Sequence, residues 1–225
     1  MRNYDVILFD LDGTITDPKE GIVNSVQYAL NKMNITEQNM KKLELFIGPP
    51  LQDSFAEYYK MNEEDINLAI NYYRENFKVK GMFENKLYDG MKSLLEKLKQ
   101  QGKTIIIATS KPTVFAIQIL DYFKISSYFD DVVGSNLDGT RTSKTEIIHY
   151  ILNTYSQYSP KNFIMIGDRK HDIIGANNNH ISSIGVTYGY GTFEELEGVA
   201  PSHIVHSIQE LETLLTTKET LSPLS

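Results

Sequence analysis

The sequence predicts an α/β fold, a doubly wound parallel sheet with an all-helical segment inserted into it, and three observations carry that expectation. Short apolar runs recur along the chain, amphipathic stretches of helical period separate the later ones, and the first interval is far longer than one crossover helix needs. The runs at residues 6–9, 104–108, 131–134, 163–166, 183–186 and 203–205 are bounded by acidic, Gly or Ser residues and read as buried strands. Residues 91–98, 112–123, 145–155 and 170–178 read as the connecting helices.

The long interval reads as successive helices. Asp17-Pro18-Lys19-Glu20 combines a capping acid, Pro at the first helical position and Glu at the third. Ile22, Val23, Val26, Ala29, Leu30 and Met33 then make one apolar stripe. Further helices are expected around 40–47, 51–59 and 66–77, separated by Gly48-Pro49-Pro50 and by Asn62 as a cap. The expected organisation is a core of residues 1–15 and 83–217, a helical cap of residues 16–82 with hinges near 14–16 and 79–83, and a polar tail at 218–225. Ser207-Ile208-Gln209-Glu210 opens the final helix with a capping-box pattern.

Composition narrows the function classes. The 225 residues are 41% hydrophobic and 23% charged, as in ordinary folded proteins. With 22 basic against 29 acidic residues the formal charge is −7, and no long basic run supplies a nucleic-acid footprint. Cysteine is absent, so any metal must be held by oxygen or imidazole. The first apolar run is too short for a signal peptide or a membrane span, and a cytoplasmic protein with neither membrane nor nucleic-acid partners is expected.

Chemistry concentrates in two acidic clusters. Asp10-Leu11-Asp12-Gly13-Thr14 follows the first strand, and Gly167-Asp168-Arg169-Lys170-His171-Asp172 follows another and begins a helix. Open α/β sheets bind ligands at such carboxyl ends. Four carboxylates brought together repel one another unless a cation or proton intervenes. An all-oxygen donor set suits Mg²⁺, which binds phosphate oxygens beside one or two carboxylates. Thr109-Ser110-Lys111 and Lys144 stand at helix starts, where backbone N–H groups and a lysine charge can receive a phosphate.

In this order, Phe9-Asp10-Leu11-Asp12-Gly13-Thr14, Ala108-Thr109-Ser110-Lys111-Pro112, Lys144 and Ile166-Gly167-Asp168 through Asp172 resemble the four motifs of the haloacid dehalogenase superfamily of phosphatases. The cap position resembles the subclass with a helical cap, and Asp17-Pro18 with Ile47-Gly48-Pro49-Pro50-Leu51 resembles its phosphoglycolate phosphatase-like branch. The resemblance implies that the second and fourth motif strands flank the first. It implies Asp10 as nucleophile, Asp12 as acid and base, and Mg²⁺ on Asp10, Asp168 and the Asp12 backbone carbonyl, with Asp172 acting through these ligands. Thr109, Ser110 and Lys144 would hold phosphate oxygens, with backbone N–H groups at Leu11, Asp12 and Ser110.

The substrate implied is a small phosphorylated metabolite. Phosphoglycolate, pyrophosphate, a nucleoside monophosphate and a sugar phosphate stay open as its identity. So does a β-phosphoglucomutase-like phosphomutase, whereas a receiver-type signalling domain fits poorly because Asp10 follows the first strand and a cap is present. Oligomeric state is left open. Outside the motifs, His149, His180, His203 and His206 are read as structural, His171 as a solvated first-turn residue, and Arg141 and Arg169 as surface positions. Tyr58, Tyr59, Tyr72 and Tyr73 read as cap packing, and Tyr188-Gly189-Tyr190-Gly191 as a loop near the crevice.

Overall fold

A computed structural model describes residues 4–216. The expected tail at 218–225, and the last residue of the expected core, lie outside them. Six strands form one parallel sheet: β1 (Val6–Phe9), β4 (Thr104–Pro112), β5 (Asp131–Ser135), β6 (Phe163–Gly167), β7 (Ser182–Val186) and β8 (His203–Val205), in the order β5-β4-β1-β6-β7-β8. Two short strands, β2 (Thr16–Asp17) and β3 (Lys86–Leu87), pair antiparallel as a separate ribbon. The expected neighbours of β1 are the observed ones, Phe9 lying opposite Ile107 of β4 and Ile166 of β6.

Alternation along β1 explains the two packing layers. Ile7 and Phe9 join a core shared with the inserted helices, whereas Val6 and Leu8 join a second core under the helix at 144–154. Strands β4 and β6 divide in the same way, with Ile105, Ile107, Ile164 and Ile166 on the first side and Ile106, Phe163 and Met165 on the other. A strand buried on both faces reads as a continuous apolar run, which is why these segments were legible. Full burial of a side chain such as Phe9 contributes roughly 1.5–3 kcal/mol.

Between β2 and β3 lie four helices: α1 (Lys19–Lys32), α2 (Met40–Glu44), α3 (Leu51–Tyr59) and α4 (Glu63–Phe77). Helix α1 starts one residue later than expected, after Pro18, and the Asp17 carboxylate accepts the Lys19 N–H at 3.1 Å. Asn62 caps α4 as expected, accepting from the Asp65 N–H at 3.0 Å. The stripe of α1 buries Ile22, Val23, Val26 and Leu30 in the first core, and α1 packs mainly on α4. Gly81, expected at a hinge, is buried against α1, where an added Cβ would lie 2.5 Å from the Ser25 hydroxyl and 2.8 Å from the Gly21 carbonyl.

The remaining helices are α5 (Met91–Gln100), α6 (Thr113–Tyr122), α7 (Lys144–Thr154), α8 (Lys170–Asn178), α9 (Phe193–Glu197) and α10 (Ile208–Thr216). Short α9 was not anticipated. Ser143 and Glu146 form a reciprocal capping box that fixes the first turn of α7, and Lys144 is its first residue. Ser207 accepts from the Glu210 N–H at 3.2 Å, as the capping-box pattern before α10 predicted. No helix among the described residues is long and apolar enough to cross a membrane.

Candidate active site

The carboxyl ends of β1, β4 and β6 meet at one crevice beneath the inserted helices, and the sequence-predicted residues converge there. Asp10 follows β1 directly, and its N–H donates to the Ile166 carbonyl of β6 at 2.9 Å, so its backbone is held by the sheet. The chain then turns tightly. The Leu11 carbonyl accepts the N–H groups of Ile15 and Thr16, and Gly13 takes a positive φ of 80°. A side chain at Gly13 would also collide with Asp168, whose carboxylate lies 2.2–2.7 Å from the position of an added Cβ. The turn thus brings the two acidic clusters into contact.

Lys144 closes the arrangement from α7. Its ammonium lies 2.7 Å from Asp10 Oδ1 and 2.5 Å from Asp172 Oδ1, and donates to the Ala108 carbonyl at 2.9 Å. All three of its donors are used within the core. Burial pulls this lysine's pKa down, but Asp10 and Asp172 on either side more than offset that and hold it above its ordinary value. Asp172 is pushed up to about 6, by burial first, against the opposing pull of Lys144. Its second oxygen accepts the Arg169 N–H at 3.1 Å.

Asp168 is buried at 1% exposure, and its Oδ2 accepts the Tyr190 N–H at 2.7 Å. Burial, then Asp172 and Asp10, raise its carboxyl well above the usual range. The Tyr188-Gly189-Tyr190-Gly191 loop is therefore a brace on the crevice. The Tyr188 hydroxyl donates to the Thr14 carbonyl at 3.0 Å, and the Tyr190 hydroxyl donates to Asp17 in β2. A Cβ on Gly189 would lie 2.4 Å from that of Asp168 and 2.3 Å from the Gly13 carbonyl, so glycine is needed for this approach.

Asp10, Asp168 and Asp172 each offer an oxygen within 4.8 Å of the others, and all three are buried. An all-oxygen set in which burial and neighbouring carboxylates raise Asp168 and Asp172 suits a hard divalent cation such as Mg²⁺. The residues present fit that ion.

Sequence reasoning placed Lys111 at a helix start and Arg169 at the surface, and the structure differs on both. The expectation was that Thr109-Ser110-Lys111 opens a helix, but β4 runs to Pro112 with an irregular register after Ala108, and α6 begins at Thr113. That irregular extension carries Lys111 inward, with its ammonium 2.9 Å from Asp12 Oδ2 and 4.3 Å from the centre of the Phe77 ring in α4. Burial raises the Asp12 pKa above its usual value, and Lys111 opposes this only in part. The other oxygen, Oδ1, is buried without a hydrogen-bond partner. Thr109 is buried, its hydroxyl accepting the Lys111 N–H at 3.2 Å, and Ser110 lines the crevice beside it.

Arg169, expected at the surface, is only 9% exposed. Its guanidinium donates to Glu195 at 2.9 Å and to the Ile47 carbonyl at 2.6 Å, tying the acidic loop to the cap segment before Gly48-Pro49-Pro50. No local signal marks this burial, because its acid partner, Glu195, lies 26 residues away in sequence. Arg141 donates to the Gly134 carbonyl at 3.0 Å and packs over Tyr150, and His203 is exposed in β8.

A doubly wound sheet with buried carboxylates and lysines at the ends of its middle strands, roofed by an inserted helical layer, defines an α/β enzyme of the acidic-crevice class. Residues 7–186 match the haloacid dehalogenase-like hydrolase family, and the chain belongs to it, among its phosphatases. It is 45% identical over 212 residues, 94% of this chain and 96% of the relative, to a 5'-nucleotidase of Pseudomonas aeruginosa. It is 32% identical to the tyrosine-protein kinase PtkA of Mycobacterium bovis, over 93% of this chain and 72% of that protein. The crystal structure of a predicted phosphatase from Clostridium acetobutylicum superposes with a TM-score of 0.92 at 50% identity, covering 95% of this chain and 98% of that one.

Proposed function

We propose that the protein is a Mg²⁺-dependent phosphomonoesterase that transfers the phosphoryl group of a small phosphorylated metabolite first to Asp10 and then to water. The observation that carries this reading is the placement of Asp10 Oδ1, 2.7 Å from Lys144 and beside Asp168 and Asp172 on the crevice floor. A carboxylate nucleophile splits one hard displacement into two easier ones.

In the first step Asp10 Oδ attacks phosphorus, the ester bond breaks, and Asp12 gives its proton to the leaving oxygen. In the second, Asp12 takes a proton from a water that attacks the aspartyl phosphate, releasing inorganic phosphate and restoring Asp10. The raised pKa of Asp12 supports this role, since a carboxyl that keeps its proton nearer to neutral pH is available to give it to the leaving oxygen. Lys144 offsets the charge of nucleophile and phosphate, which would otherwise repel each other. Asp10, Asp168 and the Asp12 carbonyl would hold Mg²⁺, and Asp172, both of whose oxygens already accept bonds from Lys144 and Arg169, would orient the set. When bound, the ion supplies further charge neutralisation at the phosphoryl oxygens. Thr109, Ser110 and backbone N–H groups at Asp12 and Ser110 would cradle those oxygens, whereas the Leu11 N–H, expected to join them, donates to Asp10 Oδ1 at 2.8 Å, and residues 16–82 would act as a cap that excludes bulk water.

The branch resemblance of Asp17-Pro18 and Ile47 through Leu51 supports a phosphoglycolate-type substrate. The 45% identical relative supports a second reading, a nucleoside 5'-monophosphate. A panel containing phosphoglycolate, nucleoside monophosphates, pyrophosphate and sugar phosphates, assayed for inorganic phosphate with Mg²⁺ and with chelator, tests both. Phosphate release only with Mg²⁺ is the expected result. Isomerisation without release, or activity equal in chelator, would overturn the proposal.

A further inference from the structure

We propose that Arg74 of α4 selects the substrate by pairing with a negatively charged oxygen, a carboxylate or a second phosphate, on the leaving group. This rests on the phosphomonoesterase reading above and adds what the far end of the substrate must carry. The crevice is lined on its floor by Asp10 and Asp12 and on its cap side by Tyr73, Arg74 and Phe77. Two cations line it, Lys111 and Arg74, and Lys144 stands behind Asp10. Lys144 is answered by Asp10 and Asp172, and Lys111 by Asp12.

Arg74 has no carboxylate partner among the described residues. One nitrogen, Nη1, donates to the Leu137 carbonyl at 3.0 Å, whereas Nε is buried without any hydrogen-bond partner. Leaving a charged donor desolvated and unmade is costly, and most of the remaining wall of the crevice, including Ile22, Phe46 and Phe115, is apolar. An acceptor for Arg74 therefore arrives with the ligand. Burial without an acid partner also disfavours the guanidinium's charge, the state that an anionic ligand would relieve.

The test compares esters that differ in the far group: 2-phosphoglycolate, propane-1,3-diol bisphosphate, ethyl phosphate, uridine 5'-monophosphate and p-nitrophenyl phosphate. They are assayed on the wild-type chain, Arg74→Met and Arg74→Lys, with thermal melting to verify folding. The expected result is that Arg74→Met lowers kcat/KM for an anionic ester by about tenfold to a hundredfold, mostly through KM. Turnover of ethyl and p-nitrophenyl phosphate should change less than about twofold, and Arg74→Lys should restore part of the preference. Which of the two anionic esters suffers more names the anion. An equal loss on all five esters would mean that Arg74 only anchors the cap or holds the transferred phosphate, and would overturn the proposal. So would a loss confined to the nucleotide. Failure of the wild-type chain to hydrolyse any of the five would instead remove the parent reading, and this one with it.

Discussion

Two lysine–aspartate pairs share the crevice and are built differently. Lys144 sits between Asp10 and Asp172 and donates to Ala108, so every group it touches belongs to the sheet and its helices. Lys111 pairs with Asp12 but rests on the Phe77 ring of the inserted layer. The first pair is a fixed part of the floor. The second straddles floor and cap, so its surroundings depend on where the cap lies. The difference teaches that charge compensation at the proposed nucleophile, Asp10, comes from the sheet and its helices, whereas the environment of the proposed acid, Asp12, is completed by the inserted layer.

The strongest way to break this comparison is to remove each lysine in turn. Lys144→Met leaves two buried carboxylates without their cation, which should cost about 3–5 kcal/mol of stability and at least about a thousandfold in kcat/KM. Lys111→Met should cost less stability and about a hundredfold in kcat, with the basic limb of the pH–rate profile moved upward as Asp12 loses the charge that lowers its pKa. Denaturant titration and pH-rate measurements on both variants check this. Equal effects would erase the distinction.

A smaller effect sharpens it. Asp168 and Asp172 both sit above the usual carboxylate range, Asp172 at about 6. A carboxyl raised in the folded chain contributes stability that is fully present below its unfolded pKa, near ~4, and lost as pH rises through the folded value. In chelator, lowering the pH from about 7.5 to about 5.5 should therefore stabilise the protein by about 1–2 kcal/mol. Mg²⁺ should flatten that slope, and Asp168→Asn should reduce it. Melting temperatures across this range give the result directly.

How much of this was legible in the sequence follows the same division. The floor was readable because doubly buried strands such as 6–9 and 163–167 leave unbroken apolar runs, and because Asp10, Asp12, Asp168 and Asp172 stand right after them. Lys144 stands out in the sequence as a lysine at a helix start, but its weight comes from the resemblance to a motif, since one such lysine carries no signal of burial. The cap-side partners were not readable. Lys111 depends on an irregular strand end, Arg169 on a carbonyl 122 residues away, and the β2–β3 ribbon on two residues per strand. Arg74 carries no mark in the sequence, because sequence does not show which charges go unpaired.

The central claim is that Asp10 becomes phosphorylated during turnover. Rapid acid quench of the enzyme with Mg²⁺ and a ³²P-labelled ester should trap one label per chain, labile to hydroxylamine and mapping by mass spectrometry to the peptide that contains Asp10. Asp10→Asn should fold, bind no label and turn over at least about ten-thousandfold more slowly. Turnover without any trapped label, a label on another residue, or normal activity in Asp10→Asn would contradict the account.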